Sequence, residues 1–321
     1  MLSYSIAIRT LGTAGEKYLE ELRSIGRQTI QPEKVVVYIA HRYERPHEQI
    51  GREEYVYVPK GMMAQRALPY NEITSDCILL LDDDVLLAPD SAERLLKALE
   101  ENNADCVGAD TFKNQDMSVI GKVYAAVTNL VFPRCDDGWA FKIHKNGSFS
   151  YNNKPRSKCC PSESCAGPCS LWKKDAFLKM HLEDELWCER EGFWYNEDML
   201  LFYKLYVNGG HLEILYDSGV IHMDGQTASR AHHENMKRYY IRSKASAIIW
   251  HRTLWSVHPN CITALLFSIK QLWLFFVNCM AGIVFFKPQV PVLYIQGIRD
   301  AYRFIKSDTY QSLPPFVNSN Y

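Results

Sequence analysis

The first 110 residues alternate between two hydrophobic periods. Ser5-Ile6-Ala7-Ile8-Arg9 predicts a first strand. After a turn through Gly12 and Gly15, residues 16–27 place Tyr18, Leu19, Leu22 and Ile25 on one helical face. Val35-Val36-Val37-Tyr38-Ile39 follows Pro32 and is rich in β-branched residues, the composition of a second strand. Tyr55 to Val58 predicts a third strand, and Gly61 opens a helical stretch through Arg66 and Leu68. Ile78 to Leu81 is an unbroken apolar run, as in a strand buried on both faces. A helix over 91–101 and a strand over 104–109 come next. Strands alternating with helices predict an α/β fold with a doubly wound, mostly parallel sheet flanked by helices. Such sheets bind ligands at the carboxyl ends of their strands.

Beyond residue 110 the pattern weakens. Asp136-Asp137-Gly138 and Lys145-Asn146-Gly147 are turn signals and predict hairpins. A helix is expected from Lys174 onward. In residues 191–210, Met199, Phe202, Tyr203 and Tyr206 form a helical stripe stopped by Gly209-Gly210. Glu197 and Asp198 fall in the first turn of that helix, where negative charge is favoured. Leu212 to Tyr216 and Val220 to His222 read as strands.

The tail differs in kind. No residue from Gln271 to Phe286 is charged, a run shorter than the roughly 20 residues a spanning helix needs. Leu265, Leu266, Ile269, Leu272, Trp273 and Phe276 share one helical face. Ile295, Ile298, Tyr302 and Ile305 form another, opposed by Arg299, Arg303 and Lys306. Apolar faces with basic flanks predict helices lying in a membrane interface. A hydrophobic helical cap or a dimer contact is the alternative, and whether 262–286 inserts in a bilayer stays open at this point.

Charge narrows the partners. Lysine plus arginine (36) balances aspartate plus glutamate (37), so no overall field points to nucleic acid. The opening residues lack the basic-then-apolar pattern of a secretion signal, and the chain is expected to be cytoplasmic, at the inner face of a membrane. Among ten cysteines, Cys77, Cys106, Cys261 and Cys279 sit singly in apolar contexts. Cys159, Cys160, Cys165 and Cys169 cluster, but their spacing matches neither paired zinc knuckles nor a redox motif. Free thiols in a loop are expected there, with a structural metal as the alternative.

The apolar run Ile78 to Leu81 ends in Asp82, Asp83 and Asp84. Three adjacent carboxylates repel unless they share a cation. Oxygen ligands suit Mn2+ or Mg2+, whose open positions phosphate oxygens commonly fill. The bland alternative is a solvated acidic turn leading through Asp90 and Ser91 into the next helix.

Four blocks in order carry a family resemblance. They are S-I-A-I-R-T-L-G with S-I-G-R-Q-T-I-Q-P-E-K-V-V-V-Y; Arg66 followed by the apolar strand and acidic cluster; E-G-F-W-Y-N-E-D-M-L-L; and G-G-H-L-E-I-L-Y-D-S-G-V-I-H. Over about residues 3 to 225 the chain resembles the family 2 glycosyltransferases, which have the GT-A fold and use nucleotide-sugar donors, mostly with inversion. The resemblance implies a GT-A-like catalytic domain over 1–230, with a donor half to about 110 and an acceptor half from 111, then a C-terminal helical extension over 231–321. It implies Asp198 as general base, Thr10, Arg66, Asp82, Asp83 and Asp84 as donor-binding, and Asp84, Asp82 and His222 around the metal. Glu197, Trp172 and Trp194 would meet the acceptor, a glycan or a lipid-linked hydroxyl, with Tyr195 a further stacking candidate and plain core packing the alternative for the aromatics.

The chain departs from the family at three points. Ala40, His41 and Arg42 replace the usual acidic residue after the second strand, so that Thr10 or His41 is left to meet the base. Ala67 replaces an asparagine, and Lys204 stands where arginine is common. Two further classes compete with sugar transfer. A sugar-phosphate nucleotidyltransferase would want a phosphate-binding loop that R-T-L-G-T-A-G matches poorly, and a non-catalytic carbohydrate-binding relative would not need both acidic sets.

Overall fold

The computed structural model describes residues 2–111, 138–192, 197–223 and 236–317, with isolated positions between 112 and 137. Its centre is an eight-stranded sheet. Strands β1 (Tyr4–Thr10), β2 (Val35–Ala40), β3 (Glu53–Val58) and β4 (Cys77–Asp82) run parallel in the order β3-β2-β1-β4. The far side holds β6 (Cys106–Ala109), β9 (Cys159–Pro161), β10 (Cys169–Lys173) and β11 (Leu212–Leu215) in the order β10-β6-β11-β9. There β10 pairs antiparallel with both β4 and β6, β6 and β11 are parallel, and β9 closes the edge antiparallel. The sheet is therefore mixed but mostly parallel, as the alternating pattern predicts.

Two cores face the sheet. On one side α1 (Glu16–Gly26) and α2 (Ser91–Glu101) pack Tyr18, Leu22, Leu95 and Leu99 against Ile6, Ile8 and Leu81. On the other, Tyr70, Phe177 of α3 (Lys174–Lys179), Phe202 and Leu205 cover Ala7, Ile78 and Leu80. Burial on both faces accounts for the continuous apolar run of β4, each large side chain there contributing about 1.5–3 kcal/mol.

Several local expectations shift. Residues 61–68 form successive turns rather than a helix, since Pro69 stops propagation after the bonds from Gln65 N–H to the Gly61 carbonyl and from Ala67 N–H to the Met63 carbonyl. Lys145-Asn146-Gly147 is a turn between β7 (Phe141–Ile143) and β8 (Phe149–Tyr151), with Gly147 at φ 74°. Asp136 and Asp137 lie outside the described residues. The stripe after Asp198 opens with a π-helical turn, Met199–Tyr203, before α5 (Lys204–Val207). A short helix precedes it, α4 (Trp187–Arg190).

The tail is helical. It comprises α6 (Lys237–Trp250), α7 (Cys261–Val284), α8 (Gln289–Ile305) and α9 (Asp308–Gln311). Asn260 caps α7, its side chain accepting from Thr263 N–H at 2.9 Å. The helix begins at Cys261, well before the uncharged run, carries Lys270 on its buried side and ends at Val284, 24 residues in all. By length and composition α7 is long and apolar enough to cross a membrane, which corrects the estimate from the uncharged run. Trp250, Phe267 and Phe316 share a third core with Met63, Trp187 and Leu200, so the extension packs on the segment that carries Glu197 and Asp198.

Candidate active site

β4 ends at Asp82 beside Arg9 of β1, its partner in the register. The Arg9 guanidinium forms an ion pair with the Asp82 carboxylate. The next carboxylate turns away, and Asp83 accepts the hydroxyl proton of Thr10, whose oxygen in turn accepts from Gly12 N–H at 2.8 Å. Asp84 leads into β5 (Val85–Leu87), which pairs antiparallel with β12 (Val220–His222). That pairing brings His222 Nε2 to 3.1 Å from Asp84 Oδ1, while Met223 N–H donates to the Asp84 carbonyl at 2.8 Å. Three consecutive acids thus find three different partners.

The acceptor block arrives from the other side. Arg66 Nη1 lies 2.8 Å from Asp198 Oδ1 and 3.7 Å from Glu197 Oε1. The Arg66 side chain is buried, and Asp198 keeps about a third of its own exposed. Gly167, just before β10, lets the chain pass so close that a Cβ there would collide with both the Arg66 guanidinium and the Asp198 carboxylate. Its neighbour Pro168 accepts from Asp82 N–H at 3.0 Å. A cavity of about 10 Å³, room for a single water, lies among Arg9, Arg66, Asp82, Gln65, Tyr38 and Gly167. Arg66 and Asp82 thus line one small cavity, and Asp198 reaches its edge through Arg66.

The electrostatics follow from this packing. Burial opposes ionisation of Asp82, but the Arg9 charge and hydrogen bond outweigh it and hold the carboxyl below the usual range. Burial likewise opposes the Arg9 charge, and Asp82, then Glu197 and Asp198, keep it a cation. Burial pushes Asp83 up to about 6, aided by Asp82 and Asp84 and resisted by the Thr10 hydrogen bond. Glu197 is raised by burial and by the adjacent Asp198, against Arg66 and Arg9.

Two residues of this constellation are not among the sequence candidates. Arg9 is one, recognisable only once the parallel register sets it beside Asp82. Glu21 of α1 is the other. It is fully buried, and among the described residues its carboxylate has no side-chain hydrogen-bond partner, only the Val85 backbone N–H facing it. Burial first, then Asp83, Asp84 and Asp82, push its carboxyl well above the usual range. In the sequence it looks like an ordinary solvated helix residue.

Trp172 requires correction as an acceptor contact. It is fully buried in β10, stacked on Phe202 at 5.4 Å, with its indole N–H donating to Ser170 Oγ at 2.8 Å. No face remains for a sugar ring. Trp194 and Tyr195 lie outside the described residues. Cys159, Cys160, Cys165 and Cys169 are free thiols, and no group of three or more metal-ligating side chains occurs among the described residues.

That last observation bears on the cation. Asp84 and His222 converge as an oxygen and a nitrogen donor, while Asp82 is engaged by Arg9. Two protein ligands do not make a closed cage. They could hold only an ion that fills its remaining positions from other sources, such as water.

Residues 39–178 match the model of the family described as glycosyl transferase family 2. The resemblance read from the sequence is borne out over that stretch, which contains Arg66 and the three aspartates, while Glu197, Asp198 and His222 lie beyond it. No curated protein matches the chain. Among solved structures, the chain is similar to the mannosyltransferase PcManGT from Pyrobaculum calidifontis in complex with GDP-Man and Mn2+. The identity is 12%, covering 95% of this chain and 88% of that chain, with a TM-score of 0.47.

Proposed function

We propose that the chain is a glycosyltransferase that moves a sugar from a nucleotide-sugar donor to a hydroxyl of a glycan or lipid-linked acceptor, with inversion. One observation carries the reading. Arg66 ties Asp198 to the cleft in which Arg9 holds Asp82 at the β4 tip.

Breaking the bond between sugar and diphosphate places negative charge on the leaving group. A bound Mn2+ or Mg2+ would neutralise that charge, and Asp84 with His222 would hold it. Arg66 supplies a planar fork that suits phosphate as well as carboxylate. Asp82, fixed and ionised by Arg9, would accept hydrogen bonds from the nucleotide's ribose. Thr10 and Asp83 brace the turn behind it. Across the cleft Asp198 is the proton acceptor for the attacking hydroxyl, the more exposed of its pair, and Glu197 orients the acceptor. The high proton affinity of buried Glu197 suits a hydrogen-bonding role rather than that of a second base.

The test is nucleoside diphosphate release from a panel of nucleotide sugars in the presence of Mn2+. Release with at least one donor, falling about 10²- to 10⁴-fold in Asp198→Asn, is expected. Pyrophosphate exchange in its place, or silence with every donor, overturns the proposal.

A further inference from the structure

Two opposite faces distinguish α7. Thr263, Phe267, Lys270 and Gly282 are buried on one of them. Phe267 stacks on Trp250 with ring centroids 3.9 Å apart and Gly282 backs onto Pro291 and the Lys287 carbonyl, while Trp273, at the margin of the other face, donates its indole N–H to the Val127 carbonyl at 2.7 Å. On the other face Ile262, Leu265, Leu272, Phe276, Met280 and Ile283 are each 54 to 68% exposed. At 3.6 residues per turn these six fall within a sector of about 80°. The stripe runs the length of the helix and ends at Phe285 and Phe286, the latter 93% exposed.

Among the described residues nothing covers this stripe, and its surroundings indicate what does. Residues 261–306 carry five lysines and arginines against one aspartate, a local excess of four positive charges in a chain whose formal net charge is −1. Lys287, Arg299, Arg303 and Lys306 are exposed beside the apolar positions Val292 and Ile295 of α8. The one aspartate, Asp300, is occupied by Tyr240, Arg299 and Arg303. A second copy of the chain would bring the same positive charge against itself. A spanning orientation would place in lipid the face by which α7 holds Trp250 and α8.

We propose that the exposed faces of α7 and α8 dock on an anionic lipid bilayer. α7 lies parallel to the membrane plane, Phe285 and Phe286 enter the acyl boundary, and the four exposed cations meet lipid phosphates. The inference rests on these helices alone and stands whether or not the cleft transfers sugar.

Flotation of the full chain with vesicles, in the absence of any sugar or nucleotide, tests it. Binding to phosphatidylcholine vesicles containing phosphatidylglycerol is expected to exceed binding to phosphatidylcholine alone, and to weaken as salt rises. Arg299→Glu with Arg303→Glu should lower it about 25-fold through the two lost cations alone, at about fivefold per charge, and further through the two added carboxylates. Phe285→Ser with Phe286→Ser should also release the protein, whereas Phe286→Leu should hold it. All these side chains are solvent-exposed, so unchanged thermal midpoints are expected and separate loss of docking from loss of fold. Three outcomes overturn the proposal: wild-type protein left unbound by anionic vesicles, variants that bind as wild type does, or a concentration-dependent dimer abolished by Phe276→Ser, which would make a second copy the occupant.

Discussion

Arg66 Nη1 and Asp198 Oδ1 lie 2.8 Å apart although 132 positions separate them in the chain. This pair joins the turns after β3 to the acidic block that opens the π-helical segment. It also lets two adjacent carboxylates, Glu197 and Asp198, share one buried cation.

Arg66→Ala is expected to lower turnover about 10²-fold or more, with the loss in Arg66→Lys smaller because charge survives without the planar fork. Combined with Asp198→Asn, the loss should fall well short of the product of the two single effects, as for residues acting in one network. Steady-state kinetics of wild type, the two single variants and the double variant measures this, and independent effects would separate Arg66 from Asp198.

Glu21 makes a claim about stability. Its proton affinity in the fold exceeds the ordinary glutamate value of about 4.3. Above that pH the unfolded chain has released a proton that the folded chain still holds. Stability therefore declines as pH rises, by about 1.4 kcal/mol per unit until the raised value is reached. Glu21→Gln removes the titration. Urea denaturation should show the variant gaining on wild type as pH rises above about 4.3, with the gap closing towards pH 4. A pH-independent gap would contradict the assignment.

A second buried network holds the helical extension. Glu185 accepts from Arg252 at 2.7 and 3.0 Å and from Lys204 at 3.1 Å. Burial opposes its charge, but Arg252 and Lys204 prevail and keep the carboxyl below its usual range. The sign is opposite to that at Glu21: this contribution is present above about pH 4.3 and is lost as pH falls through the lowered value. Arg252→Met strands part of a buried charge and should cost about 3 kcal/mol in chemical denaturation at pH 7. A cost near zero would mean that Lys204 alone compensates Glu185.

The features legible in the chain were those fixed by local pattern. The β4 run and its three acids, the α1 stripe and the Lys145-Asn146-Gly147 turn each depend on neighbours within a few residues. Features set by tertiary register were not. Arg9 becomes a site residue only because β1 and β4 pair parallel, and Glu21 looks solvated until α1 is laid behind the aspartates. Trp172 carries the composition of a sugar platform, yet a central strand buries it on both sides. Lys204 stands out in the sequence only as a lysine where arginine is common, and the fold buries it fully against Glu185.

Mn2+ binding followed by electron paramagnetic resonance, with and without a nucleoside diphosphate, tests the central claim most directly. The account predicts that wild-type protein takes up Mn2+ when the diphosphate is present. Asp84→Asn should weaken that uptake by about tenfold or more, as expected when a metal site loses a ligand or its support, while Asp198→Asn leaves it intact. Uptake that is indifferent to Asp84, or that fails even with the diphosphate, would contradict it.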